Sequence, residues 1–382
     1  MIRVTRKPSP LIDLRKTHRE GKSIKLRCIS MRTSENDMNC PIERIDASDD
    51  STYPSRCEAP PKVVLLFGAG ASRGCGGLGQ NEPPTSRQLY GVLREKFPDS
   101  WGRLSNTLHH SFESKFEDGM ERMYQTNRDI FDYLKDLTVL MSTYRIDKVE
   151  DNLYYALIRK YADKLVNEEV VFATLNYDCL IELAALAGNP NISISYWGRN
   201  QGLRLLKIHG SCNFLPAGIS GQGKYLIEPG AKIDCSITLV DPLEVRDRMA
   251  TMPVPAAMSL YTRSKVTIIG ERTMNWIKTE FQKGVRSARL VAIVGIQPPP
   301  PDEMVDEHIW ASLRRTGAKL LFVGNEEKCK RWIAGNRLDR GDIWVSDSFQ
   351  TGSKVLCRYI DELLSRVDSW KGRRLGSGFN CR

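Results

Sequence analysis

Residues 62–72 read KVVLLFGAGAS, and the fold follows from how that stretch is read. Val63, Val64, Leu65, Leu66 and Phe67 form an unbroken apolar run of strand length. Such a run suits the middle of a parallel sheet covered on both faces better than a half-exposed strand. It stops at Gly68-Ala69-Gly70-Ala71-Ser72. Two glycines one residue apart predict a tight turn in which positive φ and close approach of a ligand are open to the backbone. A helix starting just beyond would aim free N–H groups at that ligand, and anionic phosphate suits them best. A turn that merely closes the strand fits this stretch equally well.

The rest of the chain repeats the theme. Apolar runs at Val170–Leu175, Leu203–Ile208, Arg289–Val294 and Lys319–Val323 predict further strands, with shorter ones at Ile192–Trp197 and Ile343–Val345. Between them, helical spacing is read after Thr85 or Ser86, over Cys179–Ala187, Thr273–Val285, Ala311–Arg315 and Lys354–Ser365. Strands alternating with helices predict an α/β fold, a Rossmann-like parallel sheet with helices on both faces. A polar-rich helical insertion covers about residues 100–165, where the adjacent His109 and His110 read as surface residues. Gly74–Gly79 and the Pro83-Pro84 that follow read as a mobile lid over the first turn. Residues 214–250, punctuated by glycine and proline, read as an irregular surface excursion.

Composition bounds the function. The 382 residues are 41% hydrophobic and 27% charged, as in globular proteins. No run is long enough to span a membrane, and the opening residues lack the apolar core of a secretory signal. Ten cysteines without any C-x-x-C pair fit a reducing, cytoplasmic setting and neither a zinc ribbon nor a disulfide framework. The net charge of +10 is local: residues 1–32 hold ten Lys and Arg against Asp13 and Glu20. Residues 1–60 are therefore expected to be a disordered basic extension, and any nucleic-acid contact is confined to that tail. The globular domain is expected over 61–365, with a frayed tail over 366–382.

Five predicted strands end in residues that a core does not need: Gly68–Ser72, Asn176 with Asp178, His209 with Gly210, Gly295 and Asn325. In open parallel sheets ligands bind beyond the carboxyl ends of the strands. Gly68-Ala69-Gly70-Ala71-Ser72, Thr174-Leu175-Asn176-Tyr177-Asp178 and Ile208-His209-Gly210-Ser211 resemble, in order, the G-A-G-x-S, T-x-N-x-D and H-G motifs of sirtuins. They look closest to the prokaryotic branch associated with antiviral defence. Ile293–Pro299 with Asp302 is similar to that branch's G-Y-S-x-P-P-x-D segment, departing from it at Ile296 and Gln297. Phe322-Val323-Gly324-Asn325 looks like the family's adenosine-side asparagine.

The resemblance implies NAD binding, as a substrate, and cleavage of the nicotinamide–ribose bond. By it, Gly68, Ala69, Gly70 and Ser72 hold the pyrophosphate and Asn325 the adenosine ribose. Asn176 orients a water or a ribose hydroxyl, Asp178 recognises the carboxamide, and His209 is the general base. Thr174, Gly210 and Gly295 complete the cofactor-binding set. The chemistry agrees, because an oxocarbenium-like sugar needs positioned dipoles and a base that titrates near neutrality. Residue types alone also fit plainer roles: a turn and helix-cap pair for Asn176 and Asp178, a structural histidine for His209, a turn for Asn325.

Sirtuin deacylases carry two C-x-x-C pairs after the H-G motif, whereas here only Cys212 and Cys235 follow nearby, so no zinc is expected. That favours an NAD hydrolase over a protein deacylase. The alternative is a non-catalytic module that binds NAD or ADP-ribose. A homo-oligomer or a separate trigger protein is expected to gate the activity.

Overall fold

β1 (Val63–Phe67) is buried along its whole length, and its side chains alternate between two layers. Val64 points to Gly284 of the helix Glu271–Ser287 on one face. On the other, the Phe67 ring meets Tyr154 and Phe172 at 5.2 Å and Phe349 at 5.9 Å, ring centre to ring centre. Two covered faces are what make an uninterrupted apolar strand stable, because every second residue would otherwise face water. This structure is a computed structural model. It describes residues 61–127, 129–196, 202–219, 225–296, 318–335, 343–346 and 348–374.

Within them, β1 is joined by β2 (Val170–Thr174), β3 (Ile194–Ser195), β4 (Leu203–Lys207), β7 (Leu290–Val294), β8 (Lys319–Val323) and β9 (Ile343–Ser346). The seven strands form one sheet in the order β3-β4-β2-β1-β7-β8-β9, every neighbouring pair parallel. The α/β, Rossmann-like architecture is therefore as the sequence predicts. Chain order runs outward from β1 in one direction as far as β3 and β4, then returns to β7 on its other side. The reversal sets the carboxyl ends of β1 and β7 next to each other, where a doubly wound sheet opens its crevice.

The insertion between β1 and β2 is helical, as expected. Asn106–Ser114, Phe116–Thr126, Ile130–Met141, Leu153–Lys160 and Ala162–Val166 follow the helix Ser86–Lys96, which Thr85 caps. Trp101 centres this subdomain, with Phe112, Phe116 and Tyr133 at 5.4, 6.1 and 5.4 Å. His109 departs from expectation: it is half-buried, its Nδ1 bonded to the Tyr90 hydroxyl, whereas His110 is exposed.

Two larger expectations are corrected. The glycine loop is tied down rather than mobile: Leu153 N donates to Cys75 O at 2.7 Å, Asp147 N to Gly77 O at 2.7 Å, and Asn152 Nδ2 to Gly76 O at 2.9 Å. Nor is 214–250 simply a surface excursion. β5 (Phe214–Pro216) and β6 (Ile237–Leu239) pair antiparallel within it, Ile227, Val245 and Met249 are buried, and beyond it Val254, Ala256, Ala257, Met258 and Leu260 are buried too. The insertion packs on that layer through Phe116 and Tyr261, ring centres 5.1 Å apart. Glycine and proline there mark turns between short buried pieces, which composition alone cannot tell from a loop.

The basic extension 1–60, residues Gln297–Asp302 and the helix read over Ala311–Arg315 lie outside the described residues, as does Trp197. The final helix is longer than the Lys354–Ser365 read from the sequence and runs Phe349–Arg374. No helix among the described residues is long and apolar enough to cross a membrane.

Candidate functional site

Because all seven strands run the same way, Gly68, Asn176, His209, Gly295 and Asn325 reach one rim of the sheet. At its centre the glycines interlock. Gly295 has φ +68°, and a Cβ on it would lie 2.0 Å from Ala71 N. A Cβ on Gly70 would lie 2.8 Å from Gly295 O, and one on Gly68 would strike Ile296 at 2.4 Å. Gly68, with φ −119°, does not use the left-handed freedom expected of it. These glycines are small because two backbone turns meet here.

The same contact consumes most of the donors that a phosphate would want. Gly68 N donates to Val294 O, Gly70 N to Gly295 O, and both Ala71 N and Ser72 N to Gly68 O. Ala69 N is the amide of this turn without an acceptor among the described residues. The helix Ala69–Arg73 that follows is only five residues long.

Asn176 links the turn to β2. Thr174 Oγ1 donates to Phe67 O at 3.2 Å and accepts from Asn176 N at 3.0 Å, which fixes the chain as it leaves the strand. Asn176 Nδ2 then donates to Gly68 O and to Ser72 Oγ, both at 2.8 Å. Ser72, 1% exposed, is also 3.2 Å from the hydroxyl of the buried Tyr154. What the Ser72 hydroxyl does here is hold the asparagine amide. With both bonds on Nδ2, the orientation of the amide is set, and its Oδ1 is the atom left to act on something else.

Asp178, two residues on, uses Oδ1 to accept from Leu180 N at 3.1 Å at the start of the helix Leu180–Gly188. Its carboxylate sits among acidic hydrogens. Burial first, and the Asp178 charge second, push the Cys75 thiol up to about 12. The Tyr144 hydroxyl is raised by the same two causes, and that of Tyr154 by burial, then by Cys75 and Asp178. Tyr261 is raised by burial, then by Glu117 and Asp178. None of these residues carries a sequence signal, because a tyrosine on a helix or loop reads as core until the topology brings it to the rim.

A thiol held this high is inert, since the thiolate is the reactive form. Iodoacetamide at pH 8 should therefore alkylate the half-buried Cys235 and Cys357 in the folded protein and leave Cys75, Cys179, Cys212 and Cys329 unmodified, as read by peptide mass mapping. Alkylation of native Cys75 would contradict this burial. Raised thiols favour the neutral form in the folded state, so their contribution to stability holds below about pH 8.5 and is lost as pH climbs toward 12.

His209 closes the next strand and is 4% exposed. Its backbone is clamped, with Ser259 N donating to His209 O at 2.7 Å and Gly210 N to Lys207 O at 2.9 Å. Gly210 has φ +83°, and its missing Cβ would lie 2.0 Å from Ala257 O, so the segment 256–259 runs directly against the motif. The His209 ring centre is 6.4 Å from that of Tyr177, whose hydroxyl donates to Ser259 O at 2.6 Å. This segment, to which the sequence assigned no element, is a wall of the site.

The structure thus brings Gly68, Gly70, Ser72, Thr174, Asn176 and Gly295 into one bonded group, with Ala69 in the same turn, Asp178 two residues beyond Asn176, and His209 and Gly210 one strand beyond. Asn325 stands apart, two strands from β1 on the other side. It is exposed and caps the helix Glu326–Gly335, its Oδ1 accepting from Lys328 N at 3.0 Å. The sequence reading passed over Lys207 and Glu182, although a lysine interrupting the buried run Leu203–Ile208 was the visible signal. Lys207 is fully buried, its Nζ donating to the backbone carbonyl of Asp178 and lying 3.1 Å from Glu182 Oε1. Burial by itself would lower this ammonium, but Glu182 chiefly, with Cys179 and Asp178, outweighs it and leaves the group above its ordinary value. Behind them the Cys179 and Cys212 sulfurs are 3.5 Å apart as free thiols.

No family model and no curated protein matches this chain. Among solved structures it is similar to a Sir2 homolog in complex with NAD, at 12% identity and a TM-score of 0.42, over 79% of this chain and 90% of that one.

Proposed function

We propose that this rim takes NAD as substrate and hydrolyses its nicotinamide–ribose bond, giving nicotinamide and ADP-ribose. What carries the reading is Asn176, whose amide nitrogen is held on the β1 turn by Gly68 O and Ser72 Oγ, leaving Oδ1 for a ligand, two residues before Asp178 and one strand from His209. In the reaction, the C–N bond breaks with its electron pair going to the pyridinium nitrogen, and a water oxygen bonds to the same ribose carbon. Asn176 Oδ1 accepts a hydrogen bond from that water or from a ribose hydroxyl. His209 takes the proton that the water loses, and the Asp178 carboxylate binds the carboxamide N–H. Fixed dipoles and one negative charge suit a sugar that becomes positive in the transition state.

The pyrophosphate has the Ala69 amide as its donor within the glycine turn. The adenosine end would lie toward Asn325. A cell that loses its NAD stops growing, so this activity suits antiviral defence, gated by self-assembly or a trigger protein. The second reading is a module that binds NAD or ADP-ribose without turnover.

Purified full-length protein incubated with NAD should release nicotinamide and ADP-ribose in equal amounts, without need of an acetylated peptide. Binding of ADP-ribose with no nicotinamide released would select the binding module. Neither binding nor release would remove both readings.

A further inference from the structure

Lys207 and Glu182 form an ion pair at 0% and 1% side-chain exposure, a costly arrangement that well-packed apolar residues of the same volume could replace without loss of stability. The charge therefore invites a reason beyond packing. Lys207 ends β4, opposite Thr174 in the register with β2. Its ammonium reaches past that strand to the Asp178 carbonyl, inside the turn that carries Asn176 and Asp178. Glu182 accepts from Lys207 at 3.1 Å and from Tyr196 OH at 3.3 Å through Oε1, while its buried Oε2 has no partner among the described residues. The carboxylate is thus the counter-charge, and the ammonium is the group that touches the site.

We infer that Lys207 is a positioning residue, whose buried ammonium holds the Asn176–Asp178 turn in its reactive shape through the Asp178 carbonyl. No apolar side chain can donate to that carbonyl, which sits where water does not reach. The inference rests on the NAD-cleavage reading above. Removing Lys207 alone would strand a buried carboxylate, and loss of fold would then obscure the result. The informative pair begins with Glu182→Gln, which gives up the counter-charge but leaves the ammonium two neutral acceptors, the Asp178 carbonyl and the new amide oxygen. Its partner is the double variant Lys207→Met/Glu182→Gln, which has no buried charge left at these two positions. If Glu182→Gln does not fold, the double variant is compared with the natural sequence, and release within tenfold of it overturns the inference.

In the full-length chain, Glu182→Gln should retain nicotinamide release within tenfold of the natural sequence. The double variant should melt within about 5 °C of Glu182→Gln yet have kcat reduced at least about 100-fold, because restored folding does not restore the donor. A double variant as active as Glu182→Gln would show that the pair only holds strand to helix, and would overturn the inference. So would a folded Glu182→Gln that has itself lost 100-fold, a result that stands even if the double variant does not fold. If the natural protein releases no nicotinamide, the cleavage reading falls and takes this with it. Release by the natural protein and equal release by the double variant sinks the role of Lys207 alone.

Discussion

Alanine in place of His209 should lower nicotinamide release by about 100- to 10,000-fold, the usual range for losing a general base. The fold should survive. The bonds that hold residues 207–211 in place are made by main chain, from Ser259 N to His209 O and from Gly210 N to Lys207 O, and none of these depends on the imidazole. The ring packs near Tyr177, which keeps its own anchor on Ser259 O. Thermal unfolding and circular dichroism of the variant would establish the intact fold, and a nicotinamide assay at saturating NAD would give the loss. Turnover within threefold of the natural protein would dismiss His209 as the base. Asn176→Ala is a poorer test, because it also removes the amide that ties Gly68 O and Ser72 Oγ to β2 and so mixes stability into the readout.

The second large effect concerns folding. Gly295→Ala should destabilise the protein by about 3 kcal/mol or more, combining an unfavourable positive φ with overpacking against backbone. Its Cβ would meet Ala71 N at 2.0 Å and Gly70 C at 2.5 Å, atoms that cannot swing aside as a side chain could. Separating β7 from the β1 turn would also break the Gly70 N bond to Gly295 O. Gly91→Ala supplies the opposite control. Gly91 lies within the helix Ser86–Lys96 and a Cβ there meets nothing within 4 Å, so alanine should stabilise by about 0.5–1 kcal/mol. Denaturant unfolding of the two variants would measure both. A Gly295→Ala protein as stable as the natural one would mean the two turns do not interlock.

The sheet was legible because its evidence is local. An apolar run such as Val170–Leu175 can be buried on both sides only in a covered parallel sheet, and the glycine, asparagine or histidine at its end follows at once. Distant partners were not legible. Gly68 and Gly70 announce a close approach, but the sequence does not say whether a ligand or Gly295 does the approaching; the backbone of Gly295 does. Gly74–Gly79 looked free because glycine loosens a chain in isolation. Its carbonyls are held by residues 147–153, some seventy positions away. The motif that marks Ser72 says nothing of the Tyr154 and Asn176 side chains that its hydroxyl meets in the fold. Tyr144, Tyr154 and Tyr261 enter the site only through the packing of the insertion and the 256–261 segment, which no periodicity encodes.

The pairing of β1 also governs how the chain reaches this state. Val63 lies opposite Val170 on one side and Leu290 on the other, so both neighbours of the central strand are made long after it. At a ribosomal rate of about 5–20 residues per second, Val63–Phe67 waits on the order of ten seconds or more before its second edge can be covered. During that interval the nascent polypeptide exposes five consecutive branched or aromatic residues, a segment prone to self-association. Yield from recombinant expression should accordingly be set by chaperone supply more than by the stability of the finished domain.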